Sequence, residues 1–420
     1  MRYQLSLFLS ISVWIFSIPA LSQVVSQSDN NPNEVSIAVN HQNEGQILVA
    51  SNIANLYLSA DSGKSWTEKK LESSLGVAGD PTLFCDEQGI FYYAHLSKTP
   101  GKERPDYFDR MVVQRSLDGG ITWNDGVGVG FNGGKMQDKE WLAGDVLSGS
   151  PFYGNVYLSW TEFDVYKSAD TSHRSRIRFA VSDDKGRTFS EPVVVSDETG
   201  DCMDGDNTLE GATVACGPNG EIYITWAGNG KLWFDVSYDG GKTFGEDRLL
   251  AILHDGWTLD VSGIYRSNGM PFIACDVRRG DLWITYADRD SGQNSRVWVM
   301  HTKDGNNWNV HLASSYDFGD AFFPNLVLNP QTGQAAVVFY QEVNEKKLRV
   351  DMVVYESNDF ASPKVTRVSL PFSKPGKNIF FGDYIDIDYF GEGFIASWTS
   401  FEKTRLFGKQ RLLVRAKKVF

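Results

Sequence analysis

The chain has 420 residues, 41% of them hydrophobic and 13% aromatic, with 40 glycines, a balance that suits many short strands, tight turns and large packing side chains. A formal net charge of −13 argues against nucleic acid or a polyanionic matrix as a general partner. Four scattered cysteines are too few for a disulfide scaffold or a spaced metal site.

Residues 1–22 read as a secretory leader. Arg2 supplies the positive start, the run from Leu5 to Phe16 the apolar core, and Ala20-Leu21-Ser22 a small-residue cleavage site before Gln23. Export to the periplasm or the medium is therefore expected, with residues 23–420 as one domain. No later segment is long and apolar enough to span a bilayer as a helix.

From Gln23 onward one pattern recurs. VSIAVNHQNEGQILVAS, entered at Glu34, is an apolar strand, a Gly-containing turn and a second strand; NLYLSAD then leads into the turn SADSGKSW, Ser59 to Trp66. Asp80 opens the next unit, PTLFCDEQGIFYYAHL, which ends in SLDGGITW. QDKEWLAG opens a third, ending in SDDKGRTF, and Glu210 a fourth, ATVACGPNGEIYITW, ending in SYDGGKTF. A long connection, Gly256 to Pro271, precedes PFIACDVRRGDLWITY and the shortened turn TKDGNNW. Asp320 precedes PNLVLNPQTGQAAVVFY, whose turn is at most the degenerate YESNDF, and Asp383-Tyr384 precedes IDIDYFGEGFIASW.

The five turn aspartates, Asp61, Asp118, Asp184, Asp239 and Asp304, stand 55 to 66 residues apart, about one four-stranded propeller blade plus a loop. Alternation with period two on both sides makes each turn a hairpin connection, in which the Asp accepts backbone hydrogen bonds and the Gly takes a positive φ. The predicted fold is an all-β propeller of four-stranded antiparallel blades, seven by the count of units and six as the alternative.

The recurring turn resembles the Asp-box, SxDxGxxW, of bacterial exported BNR-repeat propellers, the sialidase-like glycosyl hydrolase group. QDKEW, LEGATVACGPNGEIYITWAG, GIYRSNGMPFIACD and FFGDY resemble recurring segments of that group. The resemblance implies a propeller with a polar central site, and boxes that serve structure rather than activity. The F/Y-R-I-P segment that carries the first arginine of a sialidase triad is missing, so strict sialidase activity is not expected.

In a propeller, residues just ahead of the innermost strands converge on the channel mouth. Here nearly every unit places an acid there, and neighbouring carboxylates raise one another's pKa values, as a general acid beside an ionised base requires. Asp138, Glu140, Glu210, Asp383 and Tyr384 are the candidate acid, base or nucleophile. Lys139, Trp141, Asp80, Asp260 and Arg266 are the candidate substrate binders. Trp141 has two readings, a stacking platform for a sugar or a core side chain. The Gly256–Pro271 loop, with Trp257, Tyr265 and Arg266, is read as a cover over the mouth. Six histidines without ligand spacing predict no metal, and no cofactor is expected. The leading function is a glycoside hydrolase acting on a glycan or glycoconjugate. The alternatives are a non-catalytic glycan- or protein-binding propeller and a polysaccharide lyase.

Overall fold

The computed structural model describes residues 22–28, 30–98, 107–291, 294–315, 318–356, 359–403 and 410–420. Of the predicted leader, residues 1–22, all but Ser22 lie outside them. Among the described residues there is no helix, and seven antiparallel sheets of four or five strands follow one another in chain order, with one two-stranded ribbon, Thr258–Leu259 with Ser267–Asn268, between the fourth and fifth.

Blade I comprises Ser36–Val39, Ile47–Ser51, Asn55–Ser59 and Thr67–Lys70. Blade II runs from Gly79–Cys85 through Phe91–Ser97 and Arg110–Ser116 to Val127–Val129. Blade III has Met136–Gly144, Val156–Phe163, Ser175–Ser182 and Val193–Val194. Glu210–Cys216, Ile222–Gly228, Lys231–Ser237 and Arg248–Ile252 make blade IV, and Phe272–Cys275, Leu282–Arg289, Ser295–Thr302 and Asn309–Leu312 blade V. Blade VI contains Ala321–Leu328, Ala335–Asn344, Lys347–Glu356 and Asp359–Arg367, with Phe372–Ser373 added beside its third strand. Blade VII has Asp386–Phe390, Gly393–Lys403 and Gln410–Val419, and its fourth strand is Gln23–Val24 from the beginning of the described chain. Each inner strand touches the next, and that of blade VII touches that of blade I. The ring is closed with seven blades.

The period-two alternation explains the packing between blades. Aromatic residues of the second strands, Trp160, Trp226, Tyr340 and Trp398, lie at most 1% exposed. The five recurring turns join third and fourth strands; four share one hydrogen-bond scheme, and the shortened turn at Thr302 keeps the hydroxyl-to-Asp304 bond with Asn306 N and Asn307 N donating to Asp304. In blade IV the Ser237 hydroxyl donates to Asp239 Oδ1 at 2.8 Å and accepts from Gly241 N at 2.9 Å. Asp239 in turn accepts from Lys242 N, Thr243 N and the Thr243 hydroxyl. The closing aromatics reach the preceding blade: Phe244 meets Phe179 at 5.2 Å and Trp308 meets Phe234 at 5.7 Å between ring centres.

Candidate active site at the channel mouth

At the entry of the inner strands a backbone irregularity recurs. Pairing with the second strand slips between Gly79 and Thr82, between Asp138 and Trp141, between Glu210 and Thr213, and between Phe322 and Asn325. Within each slip one residue has positive φ: Asp80 at 49°, Lys139 at 55°, Gly211 at 70° and Phe323 at 49°. Glu34, two residues ahead of the inner strand of blade I, shares this conformation at 52°. A bulge of this kind bends the strand and re-aims its side chains. For a residue with a Cβ the left-handed conformation costs about 1–2 kcal/mol, a strain found where the surroundings enforce it. The glycine is needed sterically as well, since a Cβ at Gly211 would lie 2.7 Å from the Trp257 ring.

Three of these strained residues, Glu34, Asp80 and Lys139, meet. Lys139 Nζ lies 2.6 Å from Asp383 Oδ2, 3.1 Å from Asp80 Oδ2 and 3.8 Å from Glu34 Oε1. Arg266 takes the other side of Asp383, donating from Nε to Oδ1 at 3.1 Å and from its second guanidinium nitrogen to Oδ2, while its planar head covers the Phe380 ring at 5.0 Å. Its remaining nitrogen is 3.9 Å from Asp204, which accepts a hydrogen bond from the Tyr166 hydroxyl. Asn52 braces the acids by donating to Glu34 and accepting from Asp80 N at 2.7 Å.

Charges sort accordingly. Burial alone would raise Asp383, but Arg266 and Lys139 beside it hold its carboxyl well below the usual carboxylate range. Lys139 is raised despite burial because Asp383, Asp80, Glu34 and Asp138 face it, and Arg266 is raised chiefly by Asp383. Burial pushes up Glu34, Glu140 and Glu210, reinforced by neighbouring acids. Burial likewise brings Asp138 to about 7, with Asp80 and Asp204 raising it against the pull of Lys139.

A cavity of about 570 Å3 opens onto this cluster. Of the sequence candidates, Asp80, Asp138, Lys139 and Arg266 line it; Glu34 joins them, and Lys70 and Lys167 add cations. Five asparagines also line it, Asn30, Asn31, Asn33, Asn52 and Asn55, each offering both donors and acceptors. Asp383 and Glu210 lie just behind the wall, each 1% exposed. Glu140, 3% exposed, keeps both carboxyl oxygens without a hydrogen-bond partner.

Other candidates are placed elsewhere. The bulge at Lys139 turns Trp141 away from the cavity, and its ring packs edge-on against Phe272 and Tyr384 at 4.8 and 5.7 Å. That is the core alternative of its two readings. Tyr384 donates to Pro81 O at 3.0 Å from a buried position that raises its phenol. The covering loop carries a short ribbon in which Leu259 pairs with Ser267. This ribbon directs Arg266 toward Asp383 and leaves the Asp260 side chain 80% exposed, with Lys377 at 3.9 Å. Asn52, Tyr166 and Asp204 were not among the sequence candidates. Among the described residues no group of three or more His, Cys, Asp or Glu is placed to hold a metal ion, and no helix is long and apolar enough to cross a membrane.

Solved structures of the same architecture exist at very low identity. An ulvan lyase bound to a uronate–sulfated rhamnose unit superposes with a TM-score of 0.53 at 12% identity, over 93% of this chain and 94% of its own. An α-L-arabinofuranosidase of Fusarium graminearum gives 0.51 at 13%, over 95% and 96%. A variant of a Streptococcus pneumoniae sialidase gives 0.50 at 10%, over 89% and 83%. The likeness is one of fold. No protein-family model matches the chain, and no curated protein matches it in sequence.

Proposed function

We propose that the protein is a secreted glycoside hydrolase whose proton donor is Asp138. The observation that carries the reading is the Asp138 carboxyl, brought to about 7 on the wall of a polar cavity, beside Asp383, whose carboxylate Lys139 and Arg266 hold ionised. A protonated acid next to fixed negative charge is what glycosidic cleavage through an oxocarbenium-like transition state requires. Asp138 gives its proton to the glycosidic oxygen as the C–O bond to the anomeric carbon breaks. Asp80, facing the same space, steadies the positive charge and accepts the proton of the water that completes hydrolysis. Lys139, Arg266 and the asparagine wall orient sugar hydroxyls. Asp383 positions the two cations, and burial together with Asp80 and Asp204 keeps the proton on Asp138. The named solved structures support carbohydrate chemistry on this fold, though they do not choose the reaction.

A lyase would need a base to take a proton from carbon. Tyr166 is the phenol at the cavity, but burial and the adjacent Asp138 and Asp204 raise it, which disfavours that role.

The test is a screen of plant and host glycans followed by Asp138→Asn, which keeps an acceptor for Lys139 N. Turnover should fall about 10²- to 10⁴-fold with little change in substrate affinity. In the wild type, turnover should decline as pH rises through about 7. Unchanged turnover in the variant would remove Asp138 from the mechanism, binding without cleavage would favour a lectin-like propeller, and an unsaturated, ultraviolet-absorbing product would mean a lyase. Export is tested separately: the protein recovered outside the cytoplasm should begin at Gln23.

A further inference from the structure

The loop from Gly256 to Pro271 is tied down along most of its length. Its large apolar side chains Trp257, Leu259, Val261, Ile264 and Met270 are at most 4% exposed, and Arg266 is bonded to Asp383. The connection between blades VI and VII pins the backbone from outside, with Lys374 Nζ donating to Ser262 O at 2.7 Å and Gly376 N to Gly263 O at 3.1 Å. The Ser267 hydroxyl closes the ribbon by donating to Leu259 O at 2.6 Å. Tyr265 departs from this pattern. Set between buried Ile264 and anchored Arg266, it leaves 60% of its surface in solvent.

The cavity wall fixes where that exposed ring stands. It meets Phe380 nearly at right angles, 6.4 Å between ring centres, and Phe380 lines the cavity with the Arg266 guanidinium 5.0 Å from its ring. Tyr265 therefore adjoins two lining residues, Arg266 along the chain and Phe380 in space, while standing outside the lining itself. Scattered exposed apolar side chains are ordinary on a protein surface. This one differs because both neighbours in the chain are fixed and because it stands at the rim of a polar cavity. A tyrosine so placed offers rigid, amphipathic contact area at little cost in conformational entropy.

We propose that Tyr265 is the platform for a second sugar of the substrate, the unit next to the one held in the cavity. A sugar ring carries a patch of C–H groups bordered by hydroxyls. The C–H patch lies on the open face of the phenol ring and leaves water there, while the hydroxyls stay solvated around its edge. The platform rests on the reading of the cavity as a sugar site and extends it: the preferred substrate is an oligosaccharide bound across the rim, not a single sugar on a small aglycone.

The probes are xylo-, arabino-, galacturono- and chito-oligosaccharides of one to four units, followed by calorimetry, by cleavage, and by fluorine NMR of protein carrying 3-fluorotyrosine, with the Tyr265 resonance assigned through its loss in Tyr265→Phe. In the series that binds, affinity should rise about tenfold on going from one unit to the longer chains, and the Tyr265 resonance should move with the longer chains alone. Tyr265→Ala should abolish that gain and Tyr265→Phe should keep it. Tyr238→Ala, at a side chain 71% exposed on the turn of blade IV, should keep it as well. Affinity independent of length, an unmoved Tyr265 resonance, or a full gain in Tyr265→Ala would overturn the platform. Cleavage without any gain would do so and leave the hydrolase reading standing. A gain lost in Tyr265→Ala with no cleavage in any series would uphold the platform and remove the hydrolase reading, and binding in none of the four series would remove both.

Discussion

Asp383 shows what one buried charge does at this site. Its carboxylate is 1% exposed and serves two cations, so neutralising it takes from each its nearest counter-charge, leaving Lys139 with Asp80 at 3.1 Å and Arg266 with Asp204 at 3.9 Å. Asp383→Asn should cost about 3–5 kcal/mol, the range for removing one partner of a buried ion pair, read as a lower denaturation midpoint. Asp138 behaves in the opposite sense. Its folded value of about 7 lies above the ordinary aspartate value of 3.8, so the folded state holds a proton that the unfolded state releases, and stability falls as pH rises between about 4 and 7. Asp138→Asn should therefore melt above the wild type at pH 8 and converge with it near pH 4. A wild-type advantage at pH 8 would contradict the buried-acid assignment. The acids themselves were legible in the sequence because each stands at a strand entry. What Trp141 does was not legible, because simple alternation does not reveal a left-handed residue at Lys139, and one such residue changes the face of everything after it. Tyr166 lies in the loop between the second and third strands of blade III and Asp204 in the connection from blade III to blade IV, with no repeat to align them.

The turn is the element that repeats, and its work is local. In blade I the Ser65 hydroxyl and amide lower Asp61 to about 2; in blade IV the Thr243 hydroxyl and amide bring Asp239 to about 2 in spite of partial burial. A depressed carboxyl contributes stability that is complete above its unfolded value and disappears as pH falls through the folded one. The turns should thus weaken together between about pH 4 and pH 2. Asp239→Ala should lower the melting temperature, by about 1–2 kcal/mol of lost hydrogen bonding, with activity per folded molecule kept. A variant that stays as stable but loses activity would show the turn to be part of the site. These elements were the most readable part of the chain, since each turn residue has a stated backbone duty. The degenerate copy at Tyr355–Phe360 lies partly outside the described residues, and in the sequence blade VI had to be recognised from its strands.

For the molecule as a whole, seven blades follow from seven inner strands, and that count was available from the sequence once the N-terminal unit was included. Ring closure was not. Gln23–Val24 is too short to show periodicity, yet it pairs with Ala416 and Arg415, and Val25, wholly buried, donates to Val414 O at 2.8 Å. Val25→Asp would bury an unpaired carboxyl at this seam and should destabilise the protein by at least about 3 kcal/mol. Faster amide exchange in the Gly393–Lys403 strand would locate the damage in blade VII, and an unchanged melting temperature would mean that the seam carries little. The same segment runs on through Asn30, Asn31 and Asn33 into the cavity wall. During synthesis, then, residues made near the start must wait for a strand made almost four hundred residues later, and until it arrives the wall next to Glu34 is held only by its bonds to blade I, to Asn52, Asn55 and Glu68. Catalytic competence should be the last property a nascent chain acquires, appearing only after Gln410–Val419 has cleared the ribosome.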